Sequence, residues 1–183
     1  MLKEEPYTPA INNNTGYIND LRTKGALMKT LQEYGLHHVG FVVPDVDAAK
    51  KYFQDTFGLD APPSYSFIPN KVISYGEPEA EYELKICMIT MDNGSAIELI
   101  EPLKGNGVHQ RFVDGGGNGM HHICFSVDDY DYWRQHFAGK GAEIVFESET
   151  EDDTWGYRRC FYANDTSVGM VFEIKENPYF RNK

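Results

Sequence analysis

The chain is short of positive charge. Its 17 Lys and Arg residues face 28 Asp and Glu over 183 positions, a net charge of -11. Nucleic acid and anionic membrane surfaces repel such a chain, so neither is an expected partner. An anionic small molecule held in a local basic pocket stays compatible with this balance. Long apolar runs are missing too, and none approaches the roughly 20 residues of a membrane span. The start, Met1-Leu2-Lys3-Glu4-Glu5-Pro6, has no apolar stretch of secretory type. Cysteine is scarce: Cys87, Cys124 and Cys160 are odd in number and show no CxxC spacing. That argues against a disulfide framework and for reduced, buried thiols in a cytoplasmic protein. The length suits one domain or two small fused halves, with enough residues for a real core.

What the chain does have is a repeat. Leu36-His37-His38-Val39-Gly40-Phe41-Val42-Val43-Pro44-Asp45 returns as Met120-His121-His122-Ile123-Cys124-Phe125-Ser126-Val127-Asp128-Asp129 at a constant offset of 84, which still holds at Phe53 and Phe137. Each copy also ends in an apolar strand carrying a glutamate: Glu98 in Ala96-Ile97-Glu98-Leu99-Ile100, and Glu173 in Val171-Phe172-Glu173-Ile174.

The organisation follows from the repeat. Residues 1–35 read as an accessory arm with a weak helical pattern over 17–34, of a kind that could pack on a partner subunit. The first module spans 36–103. It opens with a strand over 37–43, then a helix capped by Asp45 or Asp47, with Val46, Ala49, Phe53 and Phe57 as its buried stripe and Gly58 at its end. A Pro/Ser-rich loop follows, then a strand over 81–91, a turn at Asp92-Asn93-Gly94-Ser95, and the strand 96–100. A glycine-rich linker, 104–119, reads as a flexible segment; no phosphate loop fits it. The second module, 120–183, predicts a strand over 121–127, a helix over 129–137, a strand over 142–147, a solvated acidic loop over 147–153, and strands over 156–163 and 169–175. His109, His136, Trp133 and Trp155 read as loop, helix surface, helix stripe and loop.

Strand parity selects the chemistry. Successive side chains point to opposite faces. Val39, Phe41 and Val43 suit the face under the helix; His38, Gly40 and Val42 share the other. In the second copy His122, Cys124 and Ser126 share the face opposite Ile123, Phe125 and Val127. His37 and His121 then fall on the helix side. Glu98 and Glu173 stand opposite their apolar neighbours, where a carboxylate is costly unless paired or metal-bound. The expectation is one divalent metal ion (Zn, Co, Ni, Mn or Fe) held by His38, Glu98, His122 and Glu173, a set without thiolate.

At these motifs the chain resembles the vicinal oxygen chelate (glyoxalase/bleomycin resistance/dioxygenase) superfamily over about residues 36–176. Within it, the His-His strands and Ile97-Glu98-Leu99-Ile100-Glu101-Pro102-Leu103 are most similar to the methylmalonyl-CoA epimerases. The resemblance implies an α+β fold in which two paired βαβββ modules form a half-open mixed β-barrel around a metal site. It implies proton abstraction next to a carbonyl, with Glu98 and Glu173 as catalytic carboxylates on opposite sides of the metal, and an acyl-CoA such as methylmalonyl-CoA as substrate. Some epimerases carry a catalytic glutamate where a gapless match places Lys85. Parity then makes Lys85 and, in the second module, Arg158 candidates for holding a substrate carboxylate or phosphate; exposure on the barrel rim is the plainer reading of both. Two other activities fit the superfamily: isomerisation of a glutathione hemithioacetal, as in lactoylglutathione lyase, and non-catalytic sequestration of a small molecule. A homodimer is the expected assembly.

Overall fold

The structure, a computed structural model, describes residues 29–153 and 156–176. Most of the expected arm (1–28), Trp155 and the last seven residues lie outside the described residues. Among the described residues, four helices and ten strands follow in chain order: α1 Leu31–Tyr34, β1 His38–Val42, α2 Val46–Phe57, β2 Tyr65–Phe67, β3 Lys71–Ser74, β4 Glu77–Pro78, β5 Glu83–Thr90, β6 Ala96–Lys104, α3 Val108–Asp114, β7 Gly119–Val127, α4 Tyr130–Gly139, β8 Glu143–Asp152, β9 Gly156–Asp165 and β10 Met170–Glu176.

All ten strands join one mixed sheet, in the order β2-β5-β6-β1-β7-β10-β9-β8-β3-β4. The order β2-β5-β6-β1 mirrors β8-β9-β10-β7 about the antiparallel β1/β7 pair, so the two βαβββ modules meet across a pseudo-twofold axis. Within each module the first and last strands run parallel, β1 with β6 and β7 with β10.

The sheet has to curl. Only Ile68, Pro69 and Asn70 separate β2, at one margin, from β3, beside the other. Those residues span at most about 14 Å, whereas eight flat strand spacings would need about 38 Å. The short link therefore draws the margins together, and β3 pairs with β8 of the other module. The result is a half-open barrel with one face turned inward and one covered by α2 and α4.

Local chemistry explains the helices. Asp45 accepts a hydrogen bond from the Ala48 amide at the start of α2, and Gly58 closes it in the left-handed region at φ 66°. Asp129 caps α4 in the same way through the Tyr132 amide. Val43, Val46, Cys87, Ile89 and Leu99 form the core under α2. Phe57 departs from the expected stripe and is exposed. Val127, Trp133, Phe161 and Ile174 form the core under α4, where Leu31 and Tyr34 of α1 also pack. The end of the arm thus lies on the second module of its own chain. Among the described residues no helix is long and apolar enough to cross a membrane.

Two expected loops are structured. The linker holds α3, with Val108 and His109 buried. Two of its glycines serve close approach: a Cβ on Gly117 would lie 2.6 Å from the Phe112 ring, and one on Gly107 would lie 2.8 Å from the Tyr82 ring. The acidic run belongs to β8. Glu147 pairs with Arg134 and Glu149 with Lys71 on the outside, while Ser148 and Thr150 turn in and are buried.

Candidate metal centre

The four inner strands each bring one side chain to a common point. His38 comes from β1, Glu98 from β6, His122 from β7 and Glu173 from β10. Registers set this by pairing His38 with Cys124, Gly40 with both Glu98 and His122, and Glu173 with Cys124. His122 needs the space that Gly40 leaves, because a Cβ there would lie 2.0 Å from the imidazole Cε1.

The geometry is that of donors around one ion. His38 Nε2 lies 3.2 Å from Glu98 Oε2, 2.9 Å from Glu173 Oε2 and 3.3 Å from His122 Nε2. His122 Nε2 lies 3.5 Å and 3.1 Å from the same two carboxylate oxygens. Donors bound to one ion at about 2.1 Å sit about 3.0 Å apart at right angles and about 3.4 Å apart at the tetrahedral angle. All four residues are buried. Two imidazoles and two carboxylates, mutually spaced in this way, fit a divalent cation.

Electrostatics points the same way. Burial opposes charge on His38, but Glu98, the Cys124 sulfur and Glu173 outweigh it and hold the imidazole protonated far above its ordinary range. Burial likewise pushes the Glu98 carboxyl up, yet His38 and the hydrogen bonds from His122 and His38 bring it down to about 2. Glu173 is held well below the carboxylate range by the same partners. The pocket keeps both carboxylates ionised and draws positive charge between them.

His37 and His121 stay outside this cluster, with their Nδ1 atoms 2.9 Å and 3.1 Å from Nδ1 of His38 and His122. Arg158 faces inward, sharing a face of β9 with Cys160 and Tyr162, whose backbone partner is Glu173. Asp152 holds one end of its guanidinium, and its buried Nε has no hydrogen-bond partner among the described residues. Lys85 falls elsewhere. It shares the outer face of β5 with Cys87 and Ile89, and its Nζ pairs with Asp47 of α2 at 2.7 Å and Glu101 at 3.7 Å. The registers Met88 with Glu98 and Tyr162 with Glu173 make Leu84 the counterpart of Arg158. The expected pairing of Lys85 with Arg158 is therefore off by one residue, which turns Lys85 away from the four clustered residues.

A second buried polar group adjoins the centre. His109 of α3 is fully buried, with the Tyr82 hydroxyl at its Nδ1 and the Tyr162 hydroxyl 3.2 Å from its Nε2. The Tyr162 ring lies 4.8 Å from that of His122. Burial drives the His109 pKa down to about 3, so the ring is neutral. The reading of His109 as a loop residue missed this. Counting by two along β9 from Arg158 would have found Tyr162.

Residues 37–161 match the Glyoxalase/Bleomycin resistance protein/Dioxygenase superfamily. The chain belongs to that superfamily. It is similar to an ethylmalonyl-CoA/methylmalonyl-CoA epimerase of Cereibacter sphaeroides, at 25% identity over 77% of this chain and 96% of that protein. It is also similar to a 2-epi-5-epi-valiolone epimerase of an Actinomyces species, at 26% identity over 78% of this chain and 79% of that one. The solved methylmalonyl-CoA epimerase of Mycobacterium tuberculosis has the same fold, with a TM-score of 0.55 at 23% identity over 78% of this chain and 87% of that one. These relatives share the word epimerase; only some names carry a CoA thioester.

Proposed function

We propose that this superfamily member is a metal-dependent epimerase acting at a carbon next to a carbonyl, on an acyl-CoA such as methylmalonyl-CoA. One observation carries the reading: each repeat contributes one buried His and one buried Glu to a single point, so two carboxylates are available there. His38, His122, Glu98 and Glu173 would hold the divalent ion. Once bound, that ion supplies Lewis-acid stabilisation of charge developing on the substrate carbonyl oxygen.

The chain's own residues supply the rest. One of the two glutamates takes the α-proton, and the electron pair left behind moves onto the carbonyl oxygen. The other glutamate returns a proton to the opposite face of the carbon, so the product is the other stereoisomer with no net change in atoms. The apolar packing of Val42, Leu84, Ile86, Ile100 and Phe146 keeps water from one side of the centre. Arg158, with its unpartnered Nε, is positioned to meet an anionic group of the substrate. The epimerase names among the relatives support this choice over the other chemistries of the superfamily.

The test is metal analysis of the purified chain together with NMR in deuterated water on a panel of 2-methyl acyl-CoA thioesters and glutathione hemithioacetals. The expected result is one bound divalent ion and α-deuteration of an acyl-CoA, abolished by chelation and restored by added metal. Turnover of a hemithioacetal alone would move the assignment to a lyase. Tight binding of a small molecule with neither activity would replace the enzyme with a sequestering protein.

A further inference from the structure

Each ligand histidine of the proposed centre has a second histidine immediately before it, and in both pairs the Nδ1 atoms face one another, at 2.9 Å for His37 and His38 and at 3.1 Å for His121 and His122. Two ring nitrogens at that separation attract only if one carries a proton and the other offers its lone pair. The inner geometry decides the roles. Nε2 of His38 and of His122 is the atom turned toward Glu98 and Glu173. An imidazole that gives its Nε2 lone pair to a metal ion keeps its proton on Nδ1. The inner Nδ1–H is then the donor, and the outer Nδ1 must be a bare acceptor.

We propose that His37 and His121 are positioning residues of the metal centre, each accepting the Nδ1–H of its neighbour and so holding the tautomer and ring plane in which that neighbour binds metal. The inference rests on the metal reading above. Its support is a contact that occurs twice in different surroundings. His121 lies against the rings of His109, Phe112 and Tyr162, whereas His37 is half-buried just before β1. Adjacent strand residues ordinarily diverge, yet both pairs bring the same two atoms together. Partners of this kind orient metal ligands and raise their basicity. The pairs differ in one respect: the Cys124 sulfur lies within 4.8 Å of a ring nitrogen of His38. Sulfur is a weak acceptor, so it would replace His37 only in part.

The experiment measures apparent dissociation constants for Co(II) and Zn(II) by competition with a chromophoric chelator, using the full chain. His121→Phe should weaken binding roughly 10- to 100-fold, and His37→Phe should weaken it less. His121→Asn places an amide oxygen close to the lost Nδ1 and should recover most of the affinity. The visible spectrum of the Co(II) form should shift in the Phe variant and return in the Asn variant. Melting of the chelated proteins separates these effects from misfolding, and the Asn variant keeps the test decisive if the Phe variant folds poorly. Phe variants that bind as tightly as the parent overturn the inference, as does an Asn variant no better than Phe at equal folding. A parent chain that takes up no metal overturns the centre itself, whereas a tight-binding parent with indifferent variants overturns this inference alone.

Discussion

At the scale of single residues, the centre depends on what is absent as much as on its donors. Gly40 contributes no side chain, and the His122 ring fills that space. In Gly40→Ala the new methyl group and the imidazole cannot both keep their places, and His122 is the movable one. Metal affinity measured by chelator competition should fall at least roughly tenfold, while the melting temperature of the chelated protein changes far less. Unchanged affinity would mean that His122 is not a ligand. Arg158 makes a contrasting case, because it lies on the inner face but off the ligand cluster. Arg158→Gln should leave metal content intact and raise KM for an anionic thioester roughly tenfold or more. An unchanged KM would return Arg158 to a structural pairing with Asp152.

At the scale of elements, α3 is the part of the fold that ties the linker to the centre. Its His109 is buried and neutral between Tyr82, from the approach to β5, and Tyr162, from β9, with His121 of β7 against its ring. His122, Glu98 and Glu173 are the charged groups that act on it from farther away. Its folded pKa, about 3, lies below the unfolded value of 6.5. Between those values the unfolded chain binds a proton that the folded one refuses, so this residue removes stability as pH falls below about 6.5. His38 and His122 work in the opposite sense in the chelated protein, because their pKa values are raised. Comparison with a variant isolates His109. His109→Gln can still bond both hydroxyls and carries no titrating group. The stability of the parent relative to this variant, from urea unfolding of chelated proteins, should drop by roughly 2 kcal/mol between pH 7.5 and pH 5. A difference that does not move with pH would place the ring in contact with water.

How much of this was readable in the sequence also differs by element. The four clustered residues were, because duplication fixed equivalent positions and strand parity chose one histidine of each pair. α3 was not: a seven-residue helix flanked by glycines has weak local propensity and is held by buried contacts with Tyr82 and Tyr162. β3 and β4 were not, because they are short and β3 gains its partner, β8, from the other module. Lys85 shows the cost of period two. The face of β5 assigned to the site was one residue out, and that slip exchanged the inside of the barrel for the outside.

At the scale of the whole molecule, the pseudo-twofold axis is the mechanistic argument. It runs between β1 and β7 and relates the Glu98 strand to the Glu173 strand. A planar carbon held on that axis would show one face to each carboxylate, so stereochemistry would follow from the duplication. Each glutamate should then serve one stereoisomer as base and the other as acid. Glu98→Gln and Glu173→Gln each keep an oxygen that can ligate metal while removing one base. In deuterated water, with each isomer of a 2-methyl malonyl thioester offered separately, each variant should exchange the α-proton of one isomer and not the other. The two variants should show opposite preferences. Net epimerisation should fall by roughly a hundredfold or more in both, since a positioned acid or base is worth about that much. Metal content, measured on the same samples, distinguishes a lost base from a lost ligand. If both variants keep their metal and exchange both isomers, the carboxylates are ligands only and the proton moves through another group. If exchange of both isomers vanishes in one variant and survives in the other, a single glutamate does all the proton transfer and the symmetry of the fold is not the symmetry of the reaction.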